Sequence, residues 1–394
     1  MSVAVLVTDA DQRSALAVVR SLGRAGYRVH TCSSRARPLA GASRFCMSHV
    51  TLPDPLRDPD GFVGGVRREA ARVGVSVILP ITDAAMLALL PARRDLAPAV
   101  IPFPDIEVYR RVADKALMLE RAKAAGFDVP AQVILERAGP IPELGSLRFP
   151  LVVKPHRSVV ERPDGAEKIA VAHASGSGAL QRILDSLPEA AYPVLLQERI
   201  VGPGMGVFLL LWNDRRVAAF AHRRLLEKPP SGGVSVRSES VALDPGTAAR
   251  AERLLTGFGW RGVAMVECKQ DLATGRVCLM EVNGRFWGSL QLAIDSGVDF
   301  PALLVRSALG ETVEPQRPYR IGVRMRSWWG EVDHLVTRLR RADTDLAVPP
   351  DVPDRLTVFR RWLLAPLAGV RGEVFRWEDP RPFLRESLDW FRRV

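Results

Sequence analysis

The sequence predicts an α/β protein that opens with a parallel, doubly wound sheet and continues as antiparallel hairpins packed with helices. Three observations support this. Residues 1–110 alternate short apolar runs with helical periodicity, the βαβ pattern of a parallel sheet. Two pairs of apolar runs read as hairpins, Val207–Trp212 with Arg216–Arg224 and Val263–Asp271 with Val277–Asn283. Between these regions a helix is predicted from Lys115 to about Ala125, capped by Asp114 and stopped by Gly126 and Pro130.

The first region can be read element by element. Val3–Val7 is an apolar strand. Ala15, Leu16, Val18, Val19 and Leu22 recur at helical spacing, and Gly23 and Gly26 close that helix. Tyr27–Thr31 is the next strand, Phe62–Arg72 a helix, and Val75–Ile81 a strand ending at Thr82 and Asp83. Such sheets bind ligands at the carboxyl ends of their strands, where Asp9, Asp11 and Asp83 fall. The first turn, Thr8 to Gln12, lacks the glycines of a dinucleotide fingerprint. Further along, Phe149–Lys154 and Val194–Gln197 are strands and Thr247–Phe258 is a helix. Residues from about 318 are rich in Arg and Trp and end in a helix near Phe383–Phe391. The expected division is 1–110, 111–315 and 316–394.

Composition narrows the function. The chain has 394 residues, room for two or three domains, with 47% hydrophobic and 25% charged residues, as in soluble globular proteins. No apolar run reaches the roughly 18–20 residues of a membrane span. The N-terminus shows no basic region or cleavage pattern, so no signal peptide is expected and the cytoplasm is the expected compartment. Cys32, Cys46, Cys268 and Cys278 form no CxxC pair, which speaks against zinc and a disulfide framework. The net charge of +11 comes almost entirely from arginines spread along the chain. A nucleic-acid binder would cluster them, so the expected partners are small anions and no nucleic acid. The tail segment Phe359-Arg360-Arg361-Trp362-Leu363-Leu364 is expected to pack on its own domain, with a membrane-surface role as the alternative.

The strongest chemical signal is a pair of carboxylates. If the second hairpin pairs symmetrically about Thr274, Glu267 lies directly opposite Glu281. Both faces of this hairpin are apolar, which predicts a central place in a covered sheet. Two carboxylates about 4.5–5.5 Å apart at Cβ in such a setting repel. A divalent cation between them removes the conflict. Mg²⁺ suits the site because it takes one or two carboxylates plus phosphate oxygens and water. Asn283 adds a neutral oxygen on the same face, and Arg285 a fixed cation for a phosphate. An exposed acidic pair is the simpler reading, but it leaves the apolar neighbours unexplained.

Glu267-Cys268-Lys269 and Leu279-Met280-Glu281-Val282-Asn283-Gly284-Arg285-Phe286-Trp287-Gly288 together resemble the metal-binding end of the ATP-grasp superfamily. Within it they resemble the carbamoyl-phosphate-synthetase-like, carboxylate–amine ligase branch. The resemblance covers roughly residues 1–315. It implies a Rossmann-like pre-ATP-grasp domain followed by a two-lobed α+β ATP-grasp fold with ATP between the lobes. It further implies that Lys115 and Lys154, the latter in Val152-Val153-Lys154-Pro155, contact phosphates, and that Gln197, Glu198 and Ile200 line the adenine pocket. Arg223 and Arg224 would clamp phosphate or substrate, with one of these neighbours pointing away. Glu267, Glu281 and Asn283 would hold Mg²⁺ (or Mn²⁺), and Arg285 the transferred phosphate. Catalysis would rest on Arg285, Lys154 and Arg224.

The sequence departs from the pattern at two places. The loop after Lys154, Pro155 to Lys168, has only Gly165, where backbone N–H groups would cradle phosphate. Gly202-Pro203-Gly204-Met205-Gly206 lacks the GK[ST] ending of a P-loop and reads as a tight turn. Lys228 to Gly233 reads as a lid that excludes water from a labile acyl phosphate. The implied reaction joins a small-molecule carboxylate and an amine into an amide or peptide bond, releasing ADP and phosphate. Carbamoyl transfer, carboxylation, thioester formation and a non-catalytic nucleotide-binding module are the alternatives, and a homodimer is compatible with the reading.

Overall fold

The computed structural model describes residues 3–162, 165–314, 316, 318–343, 346, 348–365 and 367–392. The chain begins with β1 (Ala4–Val7), α1 (Arg13–Arg24), β2 (Arg28–Ser33), β3 (Cys46–Thr51), α2 (Pro59–Val73), β4 (Val75–Leu79), α3 (Asp83–Leu89) and α4 (Ile106–Ala113). The strands form a parallel sheet in the order β3-β2-β1-β4. The expected alternation is present, and β3 is an additional strand. Its Cys46-Met47-Ser48-His49-Val50-Thr51 run is half-buried and carries little apolar signal. Thr8-Asp9 and Thr82-Asp83 follow β1 and β4 at their carboxyl ends.

α5 (Lys115–Ala124) starts as expected, with Asp114 accepting hydrogen bonds from the N–H groups of Ala116 and Leu117. β5 (Gln132–Leu135), β6 (Leu151–Pro155), β7 (Val159–Arg162), β8 (Gly165–Lys168), β9 (Ala172–Ala174), α6 (Ser177–Ser186) and β10 (Val194–Glu198) come next. An antiparallel sheet, β5-β10-β6-β9, has its own small core of Leu151, Val153, Leu180, Leu184, Val194 and Leu196. β7 and β8 pair antiparallel as a separate two-stranded sheet.

The largest sheet is built from β11 (Gly204–Trp212), β12 (Arg215–Lys228), β13 (Val234–Ser240), β14 (Gly262–Gln270) and β15 (Val277–Asn283), with α7 (Pro245–Gly257), α8 (Leu290–Ser296) and α9 (Phe300–Ala308) alongside. β11 and β12 meet across Asn213 and Asp214, whose positive φ angles of 50° and 56° give a tight turn matched to strand twist. The strand order is β15-β14-β11-β12-β13, continued by β16 (Arg324–Arg326) and β17 (Arg371–Gly372). The carboxylate hairpin is therefore not central, as its apolar faces suggested: β15 is an edge strand. Residue 128 covers that edge, the Leu279 N–H donating to the Asp128 carbonyl at 2.8 Å. α5 also packs on β15, which accounts for the apolar faces.

The last segment adds α10 (Trp328–Arg340), α11 (Arg355–Leu364) and α12 (Arg381–Phe391). It returns to the first helix through buried charges. Arg20 Nε donates to Asp379 Oδ2 at 2.8 Å, and both side chains are at most 1% exposed. Arg20 also reaches the Val374 and Asp379 carbonyls, and Asp379 accepts from Ser43 Oγ and the Arg44 N–H. Such a pair contributes little over an apolar substitute, yet losing one partner strands the other charge. Arg20→Met is expected to lower the unfolding free energy by about 3–5 kcal/mol in denaturant titration. Arg20→Met with Asp379→Leu should recover part of that loss. An equal loss in the single and double variants would assign the cost to packing volume instead.

Candidate functional site

The β14–β15 ladder places Met265 opposite Asn283, Val266 opposite Val282 and Glu267 opposite Glu281. A bulge follows, between Glu267 and Cys268, and shifts only the part of the ladder next to the turn. The expected facing of the two carboxylates is thus present. They open into a cavity of about 550 Å³ between the β5-β10-β6-β9 sheet and the large sheet. Lys154, Arg224, Asn283 and Arg285 line the same cavity.

The site manages its repelling carboxylates with cations from separate elements. Burial works against the charge on Glu281, but Lys115 and Lys154, with the Asn283 amide and Arg285, hold this carboxyl below its ordinary range. Asn283 Nδ2 donates to Glu281 Oε1 at 2.9 Å. Burial pushes Glu267 up, with the Glu281 charge adding to it against the opposing pull of Arg224. Arg224 Nη2 lies 2.6 Å from Glu267 Oε2, and its Nη1 donates to Glu227 Oε1 at 2.8 Å. Burial alone would depress the Arg224 guanidinium, yet Glu267 and Glu227 hold it above its ordinary value. Burial lowers the Lys154 ammonium to about 8, against the attraction of Glu281.

Arg285 is fixed from both sides. Its Nε donates to Asp83 Oδ2 at 3.0 Å and its Nη2 to Asn283 Oδ1 at 3.3 Å. Tyr109 Oη donates to the other Asp83 oxygen at 2.7 Å. The strand-end Asp83 thus joins the first sheet to the cavity. Gly284 lets the chain pass Trp260: a Cβ here would lie 2.2 Å from the indole. The next two side chains, Phe286 and Trp287, are buried, and Trp287 packs on Phe208 and Phe300. They anchor the loop that presents Arg285. Asp9, also at a strand end, sits at φ 51° and accepts from Thr8 and Thr82, and burial raises it to about 6.

Not every expected ligand faces the cavity. Arg223 points to the opposite face of β12, where its Nη2 lies 2.8 Å from Glu239, because neighbouring strand residues alternate. Gln197 is buried and donates to Gln132 at 2.6 Å, and the Glu198 carboxylate accepts from the Ala131 N–H at 2.9 Å. Both side chains serve β10–β5 packing rather than the cavity. Ile200 does line it, backed by Met280. Lys115 is buried, donates to Ser158 Oγ at 3.0 Å, and lines an adjoining cavity with Glu281 and Asn283.

The glycine-poor loop after Lys154 is held by its surroundings. Ala166 N–H donates to the Leu56 carbonyl at 2.7 Å, and a Cβ on Gly165 would lie 2.6 Å from that same oxygen. The β7–β8 hairpin therefore docks on the first region, and Gly165 is required there. The Pro229–Gly233 segment borders the cavity, with Arg199 and Arg224 donating to the Ser231 and Gly233 carbonyls. His222 and Ser289, bonded at 3.2 Å, are cavity residues that the sequence reading missed, because a lone His on an apolar strand gives no motif. Burial lowers His222 to about 3, so it is a neutral imidazole.

Comparison with known proteins bears on the fold. Residues 190–329 match a family model described as ATP-grasp in the biosynthetic pathway with Ter operon. A comparison with curated proteins found no match. Among solved structures, an L-amino acid ligase from Bacillus licheniformis is 16% identical with a TM-score of 0.62, covering 80% of this chain and 78% of its own. The ADP complex of purK, N5-carboxyaminoimidazole ribonucleotide synthetase, is 12% identical with a TM-score of 0.65 and covers 86% and 85%. The biotin carboxylase domain of the Hydrogenobacter thermophilus 2-oxoglutarate carboxylase, with MgADP and bicarbonate, is 16% identical with a TM-score of 0.61 and covers 82% and 73%. The overall fold is that of these ATP-grasp enzymes, and residues 190–329 match an ATP-grasp family model.

Proposed function

We propose that the protein is an ATP-dependent carboxylate–amine ligase that forms an amide or peptide bond through an acyl phosphate and releases ADP and phosphate. The observation that carries this reading is the register of β14 and β15, which sets Glu267 against Glu281 among Lys154, Arg224 and Arg285. Among the described residues no three His, Cys, Asp or Glu converge into an all-protein metal cage. Two carboxylates and the Asn283 oxygen suit a magnesium ion that takes its other ligands from phosphates and water. Such an ion, when bound, supplies charge neutralisation for the nucleotide phosphates.

The side chains divide the remaining work. The apolar wall around Ile200 and Met280 suits an adenine ring. Lys115 and Lys154 hold phosphate oxygens, and Arg285, fixed by Asp83, steadies the phosphoryl group as a substrate carboxylate attacks it in line. Arg224 pairs with Glu267 and would be available to phosphate if Glu267 held a cation instead. The Pro229–Gly233 segment keeps water from the acyl phosphate. Attack by the amine then displaces phosphate, with no protein nucleophile. A third cavity, of about 460 Å³, meets Arg285 and is lined by Asp9, Asp11, Asp54 and Asp83 together with Arg13 and Lys168, a polar setting that suits the second substrate. Because one of the similar structures is a carboxylase domain in complex with bicarbonate, bicarbonate is the second candidate for the carboxylate.

Three outcomes are expected. Calorimetry should show Mg²⁺-dependent ATP binding that Glu267→Gln with Glu281→Gln weakens about 100-fold or more, from two charged contacts at roughly 1.5–3 kcal/mol each. A folded protein that binds no ATP would sink the ligase reading. With binding in place, ADP release should require an organic carboxylate plus an amine; release with bicarbonate alone would favour carboxylation. Second, Lys154 is protonated below about 8 and neutral above, so ATP affinity should fall as pH rises through about 8. Lys154→Met should flatten that profile, and an unchanged profile would remove Lys154 from the phosphate site. Third, Arg224→Met should strengthen Mg²⁺ binding without nucleotide while lowering turnover about 10²–10³-fold. Weaker cation binding in that variant would refute the exchange of partners at Glu267.

A further inference from the structure

The opposite face of β12 carries a second concentration of positive charge that the ligase reading does not use. Arg223, Arg237, Arg324, Arg360 and Arg361 line a cavity of about 520 Å³ between the large sheet and α11. Glu239 is the carboxylate in its lining, and it is shared by Arg223 and Arg324, at 2.8 Å and 2.7 Å. Glu331 neutralises Arg237 from the α10 side. Among the described residues neither Arg360 nor Arg361 has a carboxylate within ion-pair distance.

α11 lies over this cavity with its polarity reversed. Val358 and Ala365 face inward and are 1% exposed, and Trp362 packs on Trp328. Outward it turns Leu356, Phe359 and Leu363, at helical spacing, followed by Leu367, while Leu364 is half-exposed at the cavity's border; exposure is 64% for Leu356, 59% for Leu363 and 86% for Leu367. The expectation that this tail packs on its own domain holds only for its inner face. Exposed apolar residues with Arg360 among them and Arg361 beside them are the pattern of a helix that lies in a bilayer interface. Residues 316–394 contain 16 arginines against 11 carboxylates. A second copy seated symmetrically on α11 would set these arginines against their own kind, whereas an anionic surface complements them.

We propose that α11 and the arginine-lined cavity beneath it form a docking surface for anionic phospholipid. The outward leucines and Phe359 enter the acyl boundary, and Arg360 and Arg361 meet headgroup phosphates at the cavity mouth. The ATP cavity lies on the other face of β12, so the protein can act while seated at a membrane.

Vesicle flotation with the full chain tests this, using phosphatidylcholine alone and phosphatidylcholine mixed with phosphatidylglycerol. The protein should float with the mixed vesicles, not with the neutral ones, and added salt should release it. Phe359→Ser with Leu363→Ser should abolish flotation. Arg360→Gln with Arg361→Gln should weaken it about thirtyfold, the effect of two arginines near an anionic surface. Both variants should keep the parent thermal midpoint, which separates lost docking from lost folding. A folded parent that fails to float, or that floats equally with neutral vesicles, overturns the proposal, as do variants that float like the parent. Displacement by soluble glycerol phosphate would assign the cavity to free phosphate and overturn membrane docking. A dimer in sedimentation velocity that Phe359→Ser with Leu363→Ser dissolves, without flotation, would assign the exposed apolar residues to a second copy and overturn it too.

Discussion

The constraint on which the site depends is the opposition of two like charges. Strand register leaves Glu267 and Glu281 no freedom to separate, because each is fixed by the ladder on both sides of its pair. Burial makes the repulsion costly. The surrounding cations answer it asymmetrically: Lys115 and Lys154 favour the ionised form of Glu281, and Arg224 pairs with Glu267. Lys115 comes from the start of α5, Lys154 from β6, Arg224 from β12 and Arg285 from the loop after β15. Four chain segments far apart in sequence must therefore be placed correctly before the pair is tolerable. Assembly of this site and assembly of the fold are one requirement.

The same logic explains why the first region is part of the site. Asp83 follows β4 of the first sheet and starts α3, yet it fixes Arg285 and is held in turn by Tyr109. The β7–β8 hairpin reaches back to Leu56. At the other end of the chain, Asp379 and Glu373 bind Arg20 and Arg13 on α1. A loop, a helix and a C-terminal segment thus converge on one sheet, and the main hydrophobic core runs continuously from Val5 to Val374. Rigid backing of this kind keeps a fixed cation such as Arg285 from relaxing toward the carboxylates it must oppose.

Much of this was legible in the sequence, for reasons that differ by residue. The facing of Glu267 and Glu281 was legible from a hairpin taken as symmetric about Thr274, although the pairs nearest the turn are shifted by one residue and the bulge after Glu267 restores the register. The Asp114 cap follows from local chemistry. These are short-range rules, which a linear sequence records. The edge position of β15 was not legible, because its apolar faces are covered by α5 and residue 128, and that cover is a tertiary fact. Arg223 and Arg224 could be read as a pair with one pointing away, but which one depends on the bulges in the β12 ladder. Gln197 and Glu198 carry the right residue types in the right strand, yet their side chains meet Gln132 and Ala131. The β3 strand, half-buried and mixed in polarity, sent no periodic signal.

The excess of arginine acquires a spatial meaning in the fold. Along the sequence the arginines look evenly spread, which argues against a nucleic-acid stripe. In the structure, alternation along β12 sends Arg224 to one face and Arg223 to the other. One face gathers cations around the facing carboxylates Glu267 and Glu281. The other gathers them around the single carboxylate of Glu239 and beneath an outward apolar helix. A strand is a natural divider for two such surfaces, since its period of two keeps adjacent like charges apart while placing each where an anion can reach it. The charge that composition reports as one number is thus two separate fields, facing away from each other across one sheet.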